Sequence, residues 1–338
     1  MKAVAYRQIL PITDAQSLID VELAQPTPQG RDLLVKVEAI SVNPVDTKVR
    51  QRANPEGTDK VLGWDAAGTV VAVGADVTLF RPGDEVFYAG AIDRSGSNAQ
   101  FQLVDERIVG RKPSTLDFAQ AAAMPLTTIT AWELLFDRLN VPRGSSARSG
   151  VVLLVVGGAG GVGSMAIQLA RKLTNYTVVA TASRPDTQAW VKELGAHHAV
   201  DHHGDLVAAV KAVAPQGVDV VLSLTHTEQH FPALVELLKP QGRLALIDDP
   251  KAPLDITLLK QKSLSLHWEL MFTRSLFHTE DMQAQHVLLN EAADLVDAGV
   301  LRTTLRENLG SINAQNLRRA HQQLESASTI GKVVLSGW

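Results

Sequence analysis

Val151-Val152-Leu153-Leu154-Val155-Val156-Gly157-Gly158-Ala159-Gly160-Gly161-Val162-Gly163 is the stretch that decides how this chain is read. Six apolar residues with no polar face describe a strand buried on both sides. The glycines then fit G-x-G-x-x-G through Gly158, Gly160 and Gly163. Ser164-Met165-Ala166-Ile167-Gln168-Leu169-Ala170-Arg171-Lys172 follows at once with the pattern of an amphipathic helix. Strand, glycine turn and helix in succession point to a dinucleotide site rather than a turn that binds nothing. The first glycine permits a tight turn, the second lets backbone approach a pyrophosphate, and the third lets the helix pack on the strand. Gly161 and Val162 open the helix, where free N–H groups face phosphate oxygens.

Bulk properties bound the function. The 338 residues suffice for about two domains. A net charge of −4 offers no basic footprint for nucleic acid or an anionic membrane. No apolar run approaches the roughly 18 residues of a membrane span. Met1-Lys2-Ala3-Val4-Ala5-Tyr6 reads as a strand with no signal-peptide apolar region behind it, so the expected location is the cytoplasm. There is no cysteine, which excludes disulfides, thiolate nucleophiles and thiolate zinc sites.

Residues 1–125 are rich in short strand signals: Asp32–Ile40, Thr69–Gly74 and Asp84–Tyr88, with a turn at Arg81-Pro82-Gly83-Asp84. That spacing predicts a barrel-like β domain. From 126 to 270 strands alternate with helices: Thr177–Ala182, a helix over 186–194 ending at Gly195, Val218–Leu224, a helix over 231–238 stopped by Lys239-Pro240-Gln241-Gly242, and Arg243–Ile247. Such alternation predicts a doubly wound parallel sheet covered on both faces, an α/β class. Residues 271–338 hold a helix expected over 279–298 and a closing strand, Lys332–Leu335, expected to return to the first domain.

Several segments together carry a resemblance. They are Ser41-Val42-Asn43-Pro44-Val45-Asp46-Thr47-Lys48, Leu62-Gly63-Trp64-Asp65-Ala66-Ala67-Gly68, Pro82-Gly83-Asp84-Glu85-Val86, Leu126-Thr127-Thr128-Ile129-Thr130-Ala131-Trp132, the glycine run, and Ile330-Gly331-Lys332-Val333-Val334-Leu335. In this order they resemble the medium-chain dehydrogenase/reductase superfamily, in its zinc-independent quinone oxidoreductase branch. The resemblance implies a GroES-like β-barrel catalytic domain with an inserted Rossmann domain, and commonly a homodimer. The zinc alcohol dehydrogenase branch has an early cysteine ligand and a Gly-His-Glu motif; here the motif reads Gly63-Trp64-Asp65. No bound metal is expected, and the paired histidines 197–198 and 202–203 lack helix-spaced ligand geometry with an acid.

The cofactor preference follows from position. An NAD-selective site places an acid about 20 residues beyond the glycines. Ser183 and Arg184 stand there, and no Asp or Glu occurs between Thr177 and Pro185. Hydroxyl and guanidinium suit a 2′-phosphate, so NADP(H) is expected. The resemblance implies the same. It often carries a lysine a few residues on, where this chain has Thr187, and a tyrosine near the adenosine, where it has His202. It also places Thr128 near the cofactor phosphates, Leu224 and Thr225 near the ribose, and Ile247 and Asp248 near the nicotinamide carboxamide.

For chemistry, the resemblance puts Asn43, Asp46 and Lys48 along the catalytic cleft. Asn43 is expected on the nicotinamide ribose or substrate, and Lys48 as a donor to a substrate oxygen. Trp64, Trp132, Trp268, Met271 and Phe272 are candidates for apolar walls against a flat substrate. The expected activity is reduction of quinones or α,β-unsaturated carbonyls; the alternative is an NADPH-binding sensor or structural protein with little turnover.

Overall fold

In the computed structural model, which describes residues 1–144 and 149–338, the chain forms two units. One holds Met1–Ile129 with Phe272–Trp338, the other Thr130–Met271. The first contains β1 (Lys2–Tyr6), β2 (Ile19–Glu22), β3 (Asp32–Val42), α1 (Pro44–Arg52), β4 (Lys60–Val61), β5 (Asp65–Val73), β6 (Glu85–Tyr88), β7 (Phe101–Asp105), β8 (Val109–Arg111) and α2 (Phe118–Ala122). Then α3 (Pro125–Trp132) carries the chain onward.

The second unit follows with a π-helical turn (Glu133–Arg138), β9 (Val152–Val156), α4 (Gly161–Leu173), β10 (Thr177–Thr181), α5 (Pro185–Glu193), β11 (His198–Val200), α6 (Leu206–Val213), β12 (Val218–Ser223), α7 (Thr227–Leu237), β13 (Leu238–Leu246) and β14 (Ser265–Trp268). The chain returns to the first unit as α8 (Thr273–Leu276), α9 (Ala284–Asp297), β15 (Leu305–Asn308), α10 (Ala314–Glu325) and β16 (Lys332–Ser336).

In the first unit a three-stranded sheet, β2-β1-β4, accompanies a seven-stranded sheet ordered β15-β16-β3-β5-β6-β8, with β7 also on β3. The organiser is β3, whose Leu33, Leu34, Val35, Val37, Ala39, Ile40 and Val42 are buried and whose β-branched residues suit a packed pleat. β16 returns antiparallel to it, Val334 opposite Ser41 and Leu335 opposite Ile40.

The second unit is one parallel sheet ordered β11-β10-β9-β12-β13-β14. The chain builds outward from β9 to β11, then crosses back to β12 on the other side of β9. The carboxyl ends of β9 and β12 flank that switch point, where such sheets bind ligands. Leu154, Val156, Val179, Val221, Leu244, Phe231 and Leu234 belong to its buried core. Gly195 (φ +109°) terminates α5, and the N–H groups of Gly195 and Ala196 bond the carbonyls of Lys192 and Val191.

Three boundaries depart from the sequence pattern. α7 starts at Thr227 rather than 231, because Asp248 accepts from the Thr227 N–H at 2.9 Å and caps the helix early. α7 ends before Lys239-Pro240-Gln241-Gly242 as expected, but β13 starts at Leu238 rather than Arg243 and takes that stretch in; the register against β12 slips there and Gln241 takes φ +65°. α9 starts at Ala284 rather than 279, since Asp281 is held by Arg274 (2.8 Å) and by the Thr279 hydroxyl (2.6 Å) in a turn of its own.

Two buried carboxyls in the second unit share one arginine. Arg138 lies 2.6 Å from Glu269 and 3.5 Å from Glu133. Burial, then repulsion from Glu133, raises the Glu269 carboxyl well above its ordinary value. A raised folded-state pKa stabilises fully below the unfolded carboxylate value of about 4.3, and that contribution is lost as pH rises through the raised value. Glu269→Gln copies the protonated form. Thermal melts from about pH 5 to pH 9 should show the native protein losing stability relative to Glu269→Gln as pH rises. Parallel profiles would refute a shared proton.

Candidate active site

The glycine turn sits at the end of β9. Gly157 (φ +83°) takes the left-handed conformation, so the tight turn falls one residue before the first glycine of the motif. Gly158 is required for another reason: a Cβ there would lie 2.8 Å from the Ala180 Cβ. A Cβ on Gly163 would come within 2.3 Å of the Gly157 carbonyl oxygen, so the helix packs against the turn as expected of the third glycine. Gly160 differs from all of these. Its Cβ would meet only the Gly157 oxygen, at an ordinary 3.6 Å. Nothing inside the chain requires glycine there, which leaves room for a ligand's close approach.

Three N–H groups of the turn are already spent: Gly157 on the Thr181 hydroxyl (2.9 Å), Gly158 on the Thr181 carbonyl (3.2 Å), and Gly160 on the Gly157 carbonyl (3.2 Å). Gly160 is the N-cap of α4 and offers no side chain to the first turn. The N–H groups of Gly161, Val162 and Gly163 therefore face the end of the helix without a side-chain cap, and Gly161 and Val162 are half-buried rather than sealed. An anion satisfies such groups and the helix dipole together. This arrangement fits a dinucleotide pyrophosphate.

Beside the turn, β10 ends at Thr181 and passes to half-buried Ser183 and exposed Arg184. The Thr187 hydroxyl accepts from the Arg184 N–H (3.0 Å), so the threonine that replaces a family lysine closes this loop. Asp186, which the sequence reading passed over, lies 3.4 Å from the Arg184 guanidinium. Thr181 pairs with Val200 and the Ala182 N–H bonds the Val200 carbonyl, so the loops carrying Ser183 and His202 leave neighbouring strand ends.

At the end of β12, Leu224 and Thr225 pack against the glycine turn; a Cβ on Gly157 would meet the Thr225 Cγ2 at 2.9 Å. Ile247 follows β13 and is half-buried. Asp248 has an employment the sequence did not show: both carboxylate oxygens bond Thr227, from its N–H (2.9 Å) and its hydroxyl (2.5 Å). Its side chain caps α7.

The first unit holds a buried polar network. The Lys332 ammonium donates to Asp65 (3.0 Å), to the Val42 carbonyl (3.1 Å) and to the Asn43 side-chain oxygen. The Asn43 amide donates to Asp65 at 2.8 Å, and the Leu126 N–H donates to the other Asp65 oxygen at 2.7 Å. Asn43 also starts α1, where its N–H bonds Asp46 (2.5 Å). The Asn43 side chain thus ties β16 to β5, and its backbone N–H anchors the start of α1. Burial raises the Asp46 carboxyl to about 7, and its second oxygen is buried without a partner among the described residues.

Lys48, further along α1, is half-buried. The Thr128 hydroxyl on α3 is buried and also has no partner among the described residues. Of the aromatic candidates, Trp64 is buried, donates to the Ala91 carbonyl (3.0 Å) and meets Phe272 edge-on at 5.9 Å, as core residues do. Met271 is buried, whereas Trp268 is 53% exposed at the end of edge strand β14. Trp132 lies edge-on to Phe136 at 5.1 Å with the Arg143 guanidinium over its ring.

The alcohol dehydrogenase GroES-like domain family matches residues 29–125, and the zinc-binding dehydrogenase family matches residues 161–291. A protein from Rhizobium etli CFN 42 assigned to the zinc-dependent alcohol dehydrogenases is 58% identical; the match covers 100% of this chain and 98% of that one, with a TM-score of 0.96. A zinc-type alcohol dehydrogenase-like protein of Staphylococcus aureus (strain MSSA476) is 39% identical over 99% of this chain and all of its own. A quinone oxidoreductase of Lama guanicoe is 30% identical over 93% of this chain and 91% of its own. The chain has no cysteine, and at Gly63-Trp64-Asp65 the Asp65 oxygens accept from Lys332 and from two amide donors. No helix among the described residues is long and apolar enough to cross a membrane. With a GroES-like unit, a parallel-sheet nucleotide unit and relatives matching along its whole length, this chain belongs to the medium-chain dehydrogenase/reductase family of nicotinamide-dependent oxidoreductases.

Proposed function

We propose that this protein is an NADPH-dependent, zinc-free reductase of quinones or α,β-unsaturated carbonyls. The observation that carries the reading is the loop after β10, where Ser183 and Arg184 stand in place of the acid that selects NAD. The quinone oxidoreductase relative supports the acceptor class. Both acceptor types take hydride at a conjugated carbon and leave negative charge on oxygen. The bound cofactor supplies that hydride. Stabilising the oxygen falls to the protein.

Among the residues of α1, Lys48 is our candidate donor to the substrate oxygen. Asn43 and Asp46 are positioning residues in this reading, because they fix the start of the helix that carries Lys48. Gly161, Val162 and Gly163 hold the pyrophosphate, with Thr128, Leu224, Thr225 and Ile247 as the remaining proposed contacts.

The direct test is oxidation of NADPH and NADH, side by side, with 1,4-benzoquinone, 9,10-phenanthrenequinone and a short 2-alkenal. Turnover should run well faster with NADPH. Tight NADPH binding with no turnover on any acceptor would overturn the enzyme reading. Arg184→Ala should raise the NADPH Kd about tenfold and leave NADH nearly unchanged; equal effects would remove Arg184 from 2′-phosphate recognition. Lys48→Ala should lower kcat on the order of 10²-fold, with partial recovery in Lys48→Arg, and an unaltered kcat would rule out Lys48 as donor. Gly160→Ala should melt within about 0.5 kcal/mol of the native protein yet bind both cofactors more weakly. Unchanged binding would show that the turn does not hold the pyrophosphate.

A further inference from the structure

Four histidines meet at the carboxyl end of the parallel sheet. His202 and His203 follow β11, with ring centroids 4.7 Å apart. His230, on α7, meets His202 edge-on at 6.1 Å. His226 begins α7 in a left-handed conformation (φ +50°), its ring bonded to the Thr225 hydroxyl at 2.7 Å. Thr225 is the residue that packs on the glycine turn. The group therefore borders the proposed nucleotide site from two loops and one helix. Ordinary core packing does not account for it, since the His202 Nδ1 is buried with no hydrogen-bond partner among the described residues. A buried nitrogen left so costs about 1–3 kcal/mol.

The fixed charges around the cluster sharpen the problem. Arg184 and Asp186 lie on the neighbouring loop. Asp201 accepts the His203 N–H at 2.9 Å and lies 3.4 Å from its ring. Asp205 is spent capping α6 (3.0 Å), and Glu228 on α7 accepts the Lys251 N–H (2.9 Å). With neutral imidazoles the cluster adds no positive charge for a phosphate dianion. Burial and mutual repulsion keep His202 and His230 below the ordinary histidine value, hence largely neutral at pH 7.

We propose that His202, His203, His226 and His230 form a proton-coupled extension of the 2′-phosphate site, so that the phosphorylated dinucleotide binds with proton uptake and NAD without it. The inference rests on the NADPH reading above. A bound dianion favours the imidazolium form, and protonation converts the orphaned Nδ1 into a donor. Each proton taken up makes binding tighter by up to about tenfold per unit fall in pH.

Calorimetric titration of the whole protein with NADP+ and with NAD+, near pH 7 in two buffers of different ionisation enthalpy, counts the protons directly. We expect between about half and one proton taken up with NADP+ and close to none with NAD+. The double variant His202→Gln, His226→Gln should lose most of that uptake, with NADP+ affinity falling more than NAD+ affinity. No uptake, equal uptake for the two nucleotides, or unchanged uptake in the variant would overturn the proposal. If NADP+ still binds more tightly than NAD+ in those cases, the 2′-phosphate reading survives. If it does not, that reading fails as well.

Discussion

One buried ammonium holds the first unit in register. Lys332 sits on the closing strand, 267 residues from Asp65, and both are essentially removed from water. Two charges in such a place are costly unless every lone pair and proton is matched. Here they are matched, by Asn43, Leu126 N–H and the Val42 carbonyl. Losing either charge leaves the other uncompensated, which typically costs about 3–5 kcal/mol. The pair is neutral as a whole, so it has no spare positive charge for Asp46. Burial raises the Asp46 carboxyl to about 7; the Asn43 N–H and Lys332 oppose the shift, and Asp65 adds to it. The end of β3, the start of β5, the beginning of α1 and the return of β16 thus depend on one set of contacts.

The second unit rests on topology rather than charge. Because β9 lies between β10 and β12, three loops converge where the glycine turn begins. Gly157 and Gly158 are shaped by those neighbours, by Thr225 on one side and Ala180 on the other. Gly163 answers to the turn itself. Of the three motif glycines, Gly160 alone is left without an internal demand.

Much of this was legible from local pattern. The run Val151–Val156, the glycines and the amphipathic helix needed no partner to be recognised, and counting from Gly163 to Ser183 located the loop after β10. What escaped was non-local. Sequence spacing alone assigned the tight turn to Gly158, because nothing local says which of two adjacent glycines takes positive φ. Lys332 and Asp65 lay in segments already singled out, yet their pairing spans nearly the whole chain. A lone lysine in the apolar strand Lys332–Leu335 was the available signal, since such a side chain is buried only with a partner. His226 and His230 gave no signal at all, because only the crossover from β11 to β12 brings them to His202. Nothing local in the sequence signalled that Asp248 also caps α7.

Asp186 tests the proposed cofactor preference, since its carboxylate lies beside Arg184. Magnitudes decide the matter. The two side chains are 44% and 59% exposed, and the contact is 3.4 Å. An ion pair that exposed contributes about 0–1 kcal/mol. A charge-assisted bond from guanidinium to phosphate contributes about 1.5–3 kcal/mol. Arg184 therefore gains by leaving Asp186 for a 2′-phosphate, while a ribose hydroxyl, being neutral, gives it little reason to move. Asp186 also bonds the Thr187 N–H at the start of α5 (2.8 Å), so it retains a partner after the exchange. The carboxylate that selects NAD acts from the end of the strand; one displaced into the first turn of the next helix is held by that helix instead, and leaves the strand end to the serine and the arginine.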